Sequence, residues 1–250
     1  MCDMVSPSVE KTDGRTASLF PSATRVKPDP KGLTPIKPRR FTGHMDTSTL
    51  HAFALVCTLT PSPGRSSSDL IADQFLAELA KHGVTTDKVR VVDHDVKPGV
   101  QTDMGDGDAW PALRERILAA DILLVSTPTW AGHMSSVASR VVERLDAELS
   151  ETDATGRPIL YDKVAVVAVV GNEDGAHKIS ADLFQALNDY GYTIPAQGVT
   201  YWNGEAMHTP DYQDLDETPE VTASAMSGAA ANAAHLAAAL KISSYPKPAS

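Results

Sequence analysis

Three uninterrupted apolar stretches constrain this chain more than any other feature. Ala52–Cys57, Ile122–Val125 and Val164–Val170 contain no polar position. A strand with one face in water alternates polar and apolar residues. A strand without alternation is buried on both faces, as in the middle of a parallel sheet. Between the stretches the period changes. Ile71, Phe75 and Leu79 recur at helical spacing, as do Trp110, Leu113 and Ile117, then Val137, Val141 and Leu145, then Ile179, Leu183 and Leu187. The first helix is expected to stop at His82-Gly83, and Pro111 falls in the first turn of the second, where its missing N–H costs nothing. Val89–Val92 reads as the second strand, a short fifth strand falls between Tyr192 and Tyr201, and the Ala-rich Val221–Leu240 is the last helix. Strands alternating with helices predict an α/β domain over 49–250, a doubly wound five-stranded parallel sheet with helices on both faces.

Residues 1–48 read differently. Six of the seventeen prolines lie in the first fifty residues, and Pro28-Asp29-Pro30 and Pro38-Arg39-Arg40 break any periodicity. This stretch is expected to be a disordered or extended Pro-rich arm. It can be a dispensable tail, a targeting piece, an arm around a partner subunit, or a sequence preceding a true start at Met45. No basic start with an apolar run follows Met1, so a secretory signal is not expected. The longest apolar run, Val164–Val170, is far below the ~20 residues of a membrane span. Two cysteines, Cys2 and Cys57, make neither a disulfide framework nor a zinc site, and a cytoplasmic location is the expectation. The net charge is −10, and the first fifty residues hold eight Lys/Arg against five Asp/Glu, so the acidity lies in the body. Such a body disfavours nucleic acid, and a bound phosphate must be held by local donors against the overall field.

In sheets of this kind ligands bind beyond the carboxyl ends of the strands. Thr58–Ser68 is rich in hydroxyls and runs directly into a helix. Hydroxyls, unpaired N–H groups and the positive end of a helix suit a phosphate, to which Arg65 can add a charged contact. The same residues are also compatible with a Ser N-cap after a Pro-rich turn. Thr127–Ser136 gathers Trp130, Ala131 and Gly132, against which a flat heteroaromatic ring can lie; Trp130 reads equally as a surface-capping aromatic. Gly171–His177 has two glycines that permit close approach of backbone to ligand, or it is a polar turn with Asp174 capping the next helix.

Several sharper motifs fail on spacing. The chain has no Gly-x-Gly-x-x-Gly after its first strand and no Gly-x4-Gly-Lys-Ser/Thr. A phosphatase-type loop needs Arg six residues after Cys, where Cys57 has Pro63, so Cys57 reads as a buried strand residue. The Asp-rich stretch Asp93–Asp108 lacks calcium-loop spacing and reads as solvated turns, with Asp108 capping the Trp110 helix; no metal site is expected.

Thr58-Leu59-x-Pro61-Ser62-Pro63, Thr127-Pro128-x-Trp130-x-Gly132, Ser135-Ser136-Val137, Gly171-Asn172-Glu173-Asp174-Gly175-Ala176-His177 and Tyr201-Trp202-x-Gly204-Glu205-Ala206 resemble the flavodoxin-like NAD(P)H-dependent FMN and quinone reductases. The resemblance covers roughly residues 52–240. It implies strand order 2-1-3-4-5 and FMN as cofactor. NADH or NADPH would be the reductant and a quinone or similar small molecule the acceptor. A homodimer or homotetramer is implied, in which one subunit covers the neighbour's flavin. By resemblance, Thr60, Ser62, Ser66, Ser67 and Ser68 surround the phosphate. Pro128, Thr129, Trp130, Ala131 and Gly132 border the isoalloxazine, and Gly171, Asn172, Glu173 and Gly175 close its other side. Ser66-Ser67-Ser68 stands where relatives usually have Ser-Asn-Thr, and Ala131 where they tend to carry a second aromatic. The flavin carries the redox chemistry, so no acid–base pair is required; His177 and His133 are candidate proton donors to a reduced quinone. A different class remains open, an electron carrier or flavin-binding module without its own NAD(P)H turnover, which acidity would help dock on basic partners.

Overall fold

The computed structural model describes residues 50–208 and 210–248; the Pro-rich arm 1–48 and the Met45 start lie outside the described residues. Among the described residues six strands and five α-helices follow one another. They are β1 (His51–Val56), α1 (Ser67–Ala80), β2 (Thr85–Arg90), α2 (Trp110–Ala119), β3 (Ile122–Trp130), β4 (His133–Met134), α3 (Ser136–Leu145), β5 (Val164–Gly171), α4 (Ala176–Asp189), β6 (Val199–Asn203) and α5 (Glu220–Ile242). Five strands form a parallel sheet in the order β2-β1-β3-β5-β6, and β4 is a short return pairing antiparallel with β3. Setting β4 aside, this is the flavodoxin-like order 2-1-3-4-5.

The uninterrupted apolar runs are the three central strands, and the pleat divides their side chains between two cores. Ala52, Ala54, Val56, Leu124 and Val166 pack with α1 and the alanines of α5. Phe53, Leu55, Leu123, Val125 and Val167 pack with α2, α3 and α4. Alternate residues of one strand thus serve opposite layers.

The outer strands differ from expectation. The second strand is Thr85–Arg90, and Val91–Asp93 forms a short 3-10 turn. Its pairing, with His51 opposite Thr85, is set by β1, and as an edge strand it tolerates polar residues that hydropathy does not mark. The last strand is Val199–Asn203, and Thr193 makes only an isolated bridge to Val164. The third strand is longer than expected. Pro128 fits within it because β1 pairs only as far as Ser126, leaving β5 alone beside Pro128.

The Asp-rich stretch is anchored at its end. Asp108 Oδ2 lies 2.9 Å from Arg144 Nη1, and both side chains are fully buried. Arg144 also donates to the carbonyls of Lys97 and Gln101. Asp108 accepts the Trp110 amide at 3.1 Å, although the helix N-cap itself is Ala109, without a side-chain bond. Among the described residues no group of His, Cys, Asp or Glu is placed to hold a metal ion.

Candidate functional site

A cavity of about 560 Å³ opens at the carboxyl end of the sheet, between the loop after β1, the end of β3, the loop after β5 and the segment between β6 and α5. That volume lies within the range of small-molecule sites. Thr60, Arg65, Ser66, Ser67, Ser68, Pro128, Thr129, Trp130, Gly171, Asn172 and Glu173, all singled out from sequence, line it together. Ser62, Ala131, Gly132, Gly175, His133 and His177 do not, and each has a different structural position.

The first wall is the start of α1. Ser66 is its N-cap, accepting the Asp69 amide on Oγ. The first N–H groups of a helix have no intrahelical acceptor, so the wall offers donors at the positive end of the helix dipole. Ser126 Oγ donates to the Ser68 carbonyl at 2.7 Å, tying this start to β3, and Ser135 Oγ donates to the Cys57 carbonyl at 2.6 Å, tying the N-cap of the helix after β4 to the end of β1. Ser62 faces away, with its amide and hydroxyl both on the Asp93 carboxylate at 2.9 and 2.6 Å. The Ser62 hydroxyl holds the Asp93 carboxyl below its ordinary range. Arg65 lines the cavity but is paired, lying 2.8 Å from Asp214 and donating to the Gln213 carbonyl.

A cation unmarked in the sequence supports this wall from behind. Arg90, at the end of β2, donates to the carbonyls of Gly64 at 2.6 Å, Pro61 at 3.3 Å and Thr60 at 3.4 Å, and to Asp69 at 2.9 Å. Burial raises the Asp69 pKa, but Arg90 and Lys88 outweigh it and hold the carboxyl below its usual range.

The second wall is the β3–β4 hairpin and the loop after β5. Thr127–Trp130, expected in a loop, are strand residues. Ala131 (φ 49°) and Gly132 (φ 72°) form the tip, both left-handed, as a two-residue hairpin turn requires. The Ala131 amide donates to Glu173 Oε1 at 2.7 Å. Gly175 (φ 138°) meets the tip so closely that a Cβ there would lie 2.9 Å from Gly132 Cα. Ala131, Gly132 and Gly175 therefore set the position of the second wall without forming its surface. Gly171 is similarly tight, since a Cβ on it would lie 2.8 Å from Thr129 Cβ. Asp174 does not cap α4, whose N-cap is Gly175 without a side-chain bond.

The third wall had little signal in the sequence. Trp202, within β6, and Ala206, Met207, Asp211, Tyr212 and Gln213, from the segment after it, line the cavity. Asn172 Nδ2 holds this strap by donating to the His208 carbonyl and to Asp211 Oδ1. Tyr212, buried against Trp202, donates to Gln74 at 2.5 Å, and the Gln213 amide donates to Ser67 Oγ at 3.3 Å. The Tyr201–Ala206 run hinted at this segment but assigned it no role.

Two polar side-chain atoms on the cavity wall are buried without a hydrogen-bond partner, Thr129 Oγ1 and Gln213 Oε1. Buried polar atoms are normally paired, so these two mark places where a ligand can complete the bonding. The donors of the α1 start, the cavity-lining Pro128, Trp130 and Gly171, and these two atoms fit FMN.

Neither histidine reaches the cavity. His133 is exposed, with Nδ1 2.7 Å from its neighbour's carbonyl, Ala131 O. His177 is exposed on the first turn of α4, Nε2 3.2 Å from Tyr201 Oη, with the rings edge to face. Cys57 is fully buried, and burial pushes its thiol pKa up, as for an inert core residue.

With the geometry established, comparison identifies the class. The family model of NADPH-dependent FMN reductases matches residues 54–207, and the chain belongs to that family. Its fold is flavodoxin-like, and FMN is the cofactor. The chain is 35% identical over 172 residues to 8-demethyl-8-aminoriboflavin-5'-phosphate synthase of Streptomyces davaonensis, covering 65% of this chain and 67% of that one. It is similar to the crystal structure of RosB with bound 8-demethyl-8-formylriboflavin-5'-phosphate, with TM-score 0.71 and 32% identity over 78% of this chain and 82% of that one. It is also 38% identical over 181 residues to the divalent metal cation transporter MntH of Mycobacterium bovis, covering 71% of this chain but only 26% of that protein. Among the described residues no helix is long and apolar enough to cross a membrane.

Proposed function

We propose that this protein takes hydride from NADH or NADPH onto FMN and passes the electrons to a quinone or similar small acceptor. The observation that carries this reading is the union, in one cavity, of a helix start with its N–H donors and an open apolar rim. Leu59, Trp130 and Met207 line the cavity and are exposed. An open rim lets a second planar molecule reach a bound ring. Bound FMN would supply the hydride and electron chemistry. Ser66, Ser67 and Ser68 would hold its phosphate, Pro128–Trp130 and Gly171–Glu173 would border its ring, and Thr129 and Gln213 would complete its hydrogen bonds. With both histidines away from the cavity, protons for the reduced acceptor come from solvent through the open rim.

The test is anaerobic. NADPH or NADH is added to the FMN-loaded protein and the visible flavin band is followed, then a quinone is added. Bleaching followed by recovery is expected. A band that does not bleach would make the protein an electron carrier or flavin-binding module.

A second reading is favoured by the likeness to the Streptomyces synthase: the flavin phosphate itself is the molecule changed. Mass spectrometry of the flavin after turnover separates the two, since a reductase returns FMN of unaltered mass. The exposed rim also supports a homodimer or homotetramer in which a neighbour covers the flavin, tested by the mass of the protein in solution. The nicotinamide reductant suits a cytoplasmic location.

A further inference from the structure

We propose that Arg90 is a positioning residue for the phosphate: it holds the Gly64 carbonyl in the loop before α1 so that the following Arg65 amide is left to face the ligand, and so sets the preference for a phosphorylated over an unphosphorylated flavin. The inference rests on the flavin-phosphate reading and adds to it the source of selectivity at the anionic end. Arg90 does not line the cavity, so it acts through the loop.

Its geometry makes the case. The Arg90 side chain is only 10% exposed, and its guanidinium gathers the carbonyls of Thr60, Pro61 and Gly64 on one side of the loop. In a trans peptide the C=O and the following N–H point in opposite directions. Drawing the Gly64 carbonyl to Arg90 at 2.6 Å therefore turns the Arg65 amide to the side of the loop opposite Arg90. Without Arg90, three carbonyl oxygens would have no cation beside them and would be drawn toward the same donors that serve an anion. Asp69, on the first turn of α1, fixes the other edge of the guanidinium at 2.9 Å, so loop and helix start share one clamp. The clamp also explains how an acidic chain presents an anion site. Arg65, at the cavity, is paired with Asp214 and Arg90 with Asp69, so the anion site is made by backbone donors that the clamp orients and by the helix end, rather than by an unpaired cation.

The experiment measures affinities for FMN and riboflavin, which differ only in the phosphate, by fluorescence titration of wild type, Arg90→Met and Arg90→Lys. Wild type is expected to prefer FMN; equal affinities would overturn the phosphate reading itself. In Arg90→Met the FMN affinity is expected to fall about tenfold or more, the weight of a lost charged hydrogen-bond set, with riboflavin affinity changed less than about threefold. Arg90→Lys keeps the charge but cannot serve the carbonyls and Asp69 together, so an intermediate fall for FMN alone is expected. It carries the test if Arg90→Met does not fold. Equal losses for both flavins, or no loss for FMN, would overturn the role of Arg90 while leaving flavin binding intact.

Discussion

Glu173 Oε1 accepts the amide N–H of Ala131 at 2.7 Å, joining the loop after β5 to the tip of the β3–β4 hairpin. The bond holds the hairpin tip, next to Trp130, against the loop that carries Asn172 and Glu173. Removing the acceptor with Glu173→Ala is expected to weaken FMN binding by about 1–2 kcal/mol, whereas Glu173→Gln keeps an acceptor oxygen and most of the affinity. Flavin titration of the two variants checks this. Equal affinities for Ala and Gln would show that the hairpin tip is held by the Gly132–Gly175 contact alone.

Thr129 offers a test in which stability and binding move in opposite directions. Its Oγ1 is buried with no partner, so Thr129→Val removes an unsatisfied polar atom at almost constant shape. The ligand-free protein is expected to melt at the same or a higher temperature, and FMN affinity to fall by about 1 kcal/mol. A lower melting temperature together with unchanged affinity would remove Thr129 from the site.

Trp130 is 56% exposed at the cavity mouth. A side chain so exposed contributes little to the core. Trp130→Ala is expected to leave the melting temperature of the ligand-free protein near wild type and to weaken flavin or acceptor binding by about 1–3 kcal/mol. Thermal melts paired with flavin titration and steady-state quinone reduction decide it. A large loss of stability with normal affinity would make Trp130 a packing residue.

The Asp108–Arg144 pair predicts an acid limb to stability. Burial raises the Asp108 pKa, but the amides of Met104, Trp110 and Lys97 and the Arg144 guanidinium outweigh it and hold the carboxyl below its ordinary range. A carboxylate with a depressed folded pKa stabilises the fold above its unfolded value, and this is lost as pH falls through the folded value. Asp108→Asn is expected to cost about 3 kcal/mol at pH 7, leaving Arg144 buried without its counter-charge, and to flatten the loss of stability below about pH 4. Urea melts at pH 7 and pH 3 measure both. An equally steep acid limb in the variant would assign it to other carboxylates.

The legible parts of the fold were those where burial leaves a pattern. β1, β3 and β5 are buried on both faces and read as unbroken apolar runs, whereas β2 is polar for most of its length and its register comes from β1, thirty-four residues away at His51 and Thr85. The site divides similarly. The loops after β1, β3 and β5 follow from topology, and within them the resemblance to the FMN reductases picked out Ser66–Ser68, Pro128–Trp130 and Gly171–Glu173. Gln213 and Arg90 could not, because each reaches the first loop through tertiary contacts that no local spacing encodes. Ser62 misled for the same reason: its composition suits a phosphate, but its partner is Asp93, on a different strand's exit.

The rim of the cavity carries a consequence for how such a protein diversifies. Leu59, Trp130 and Met207 face solvent, Met207 completely. The residues that hold the loops, Arg90, Asn172 and Glu173, are each tied by hydrogen bonds to another segment. Exchanging rim side chains therefore leaves the scaffold's stability almost untouched, while exchanging the ties does not. Mutational drift can explore new acceptors at three positions without a compensating change elsewhere, and a directed library confined to Leu59, Trp130 and Met207 would sample acceptor range at nearly constant foldedness.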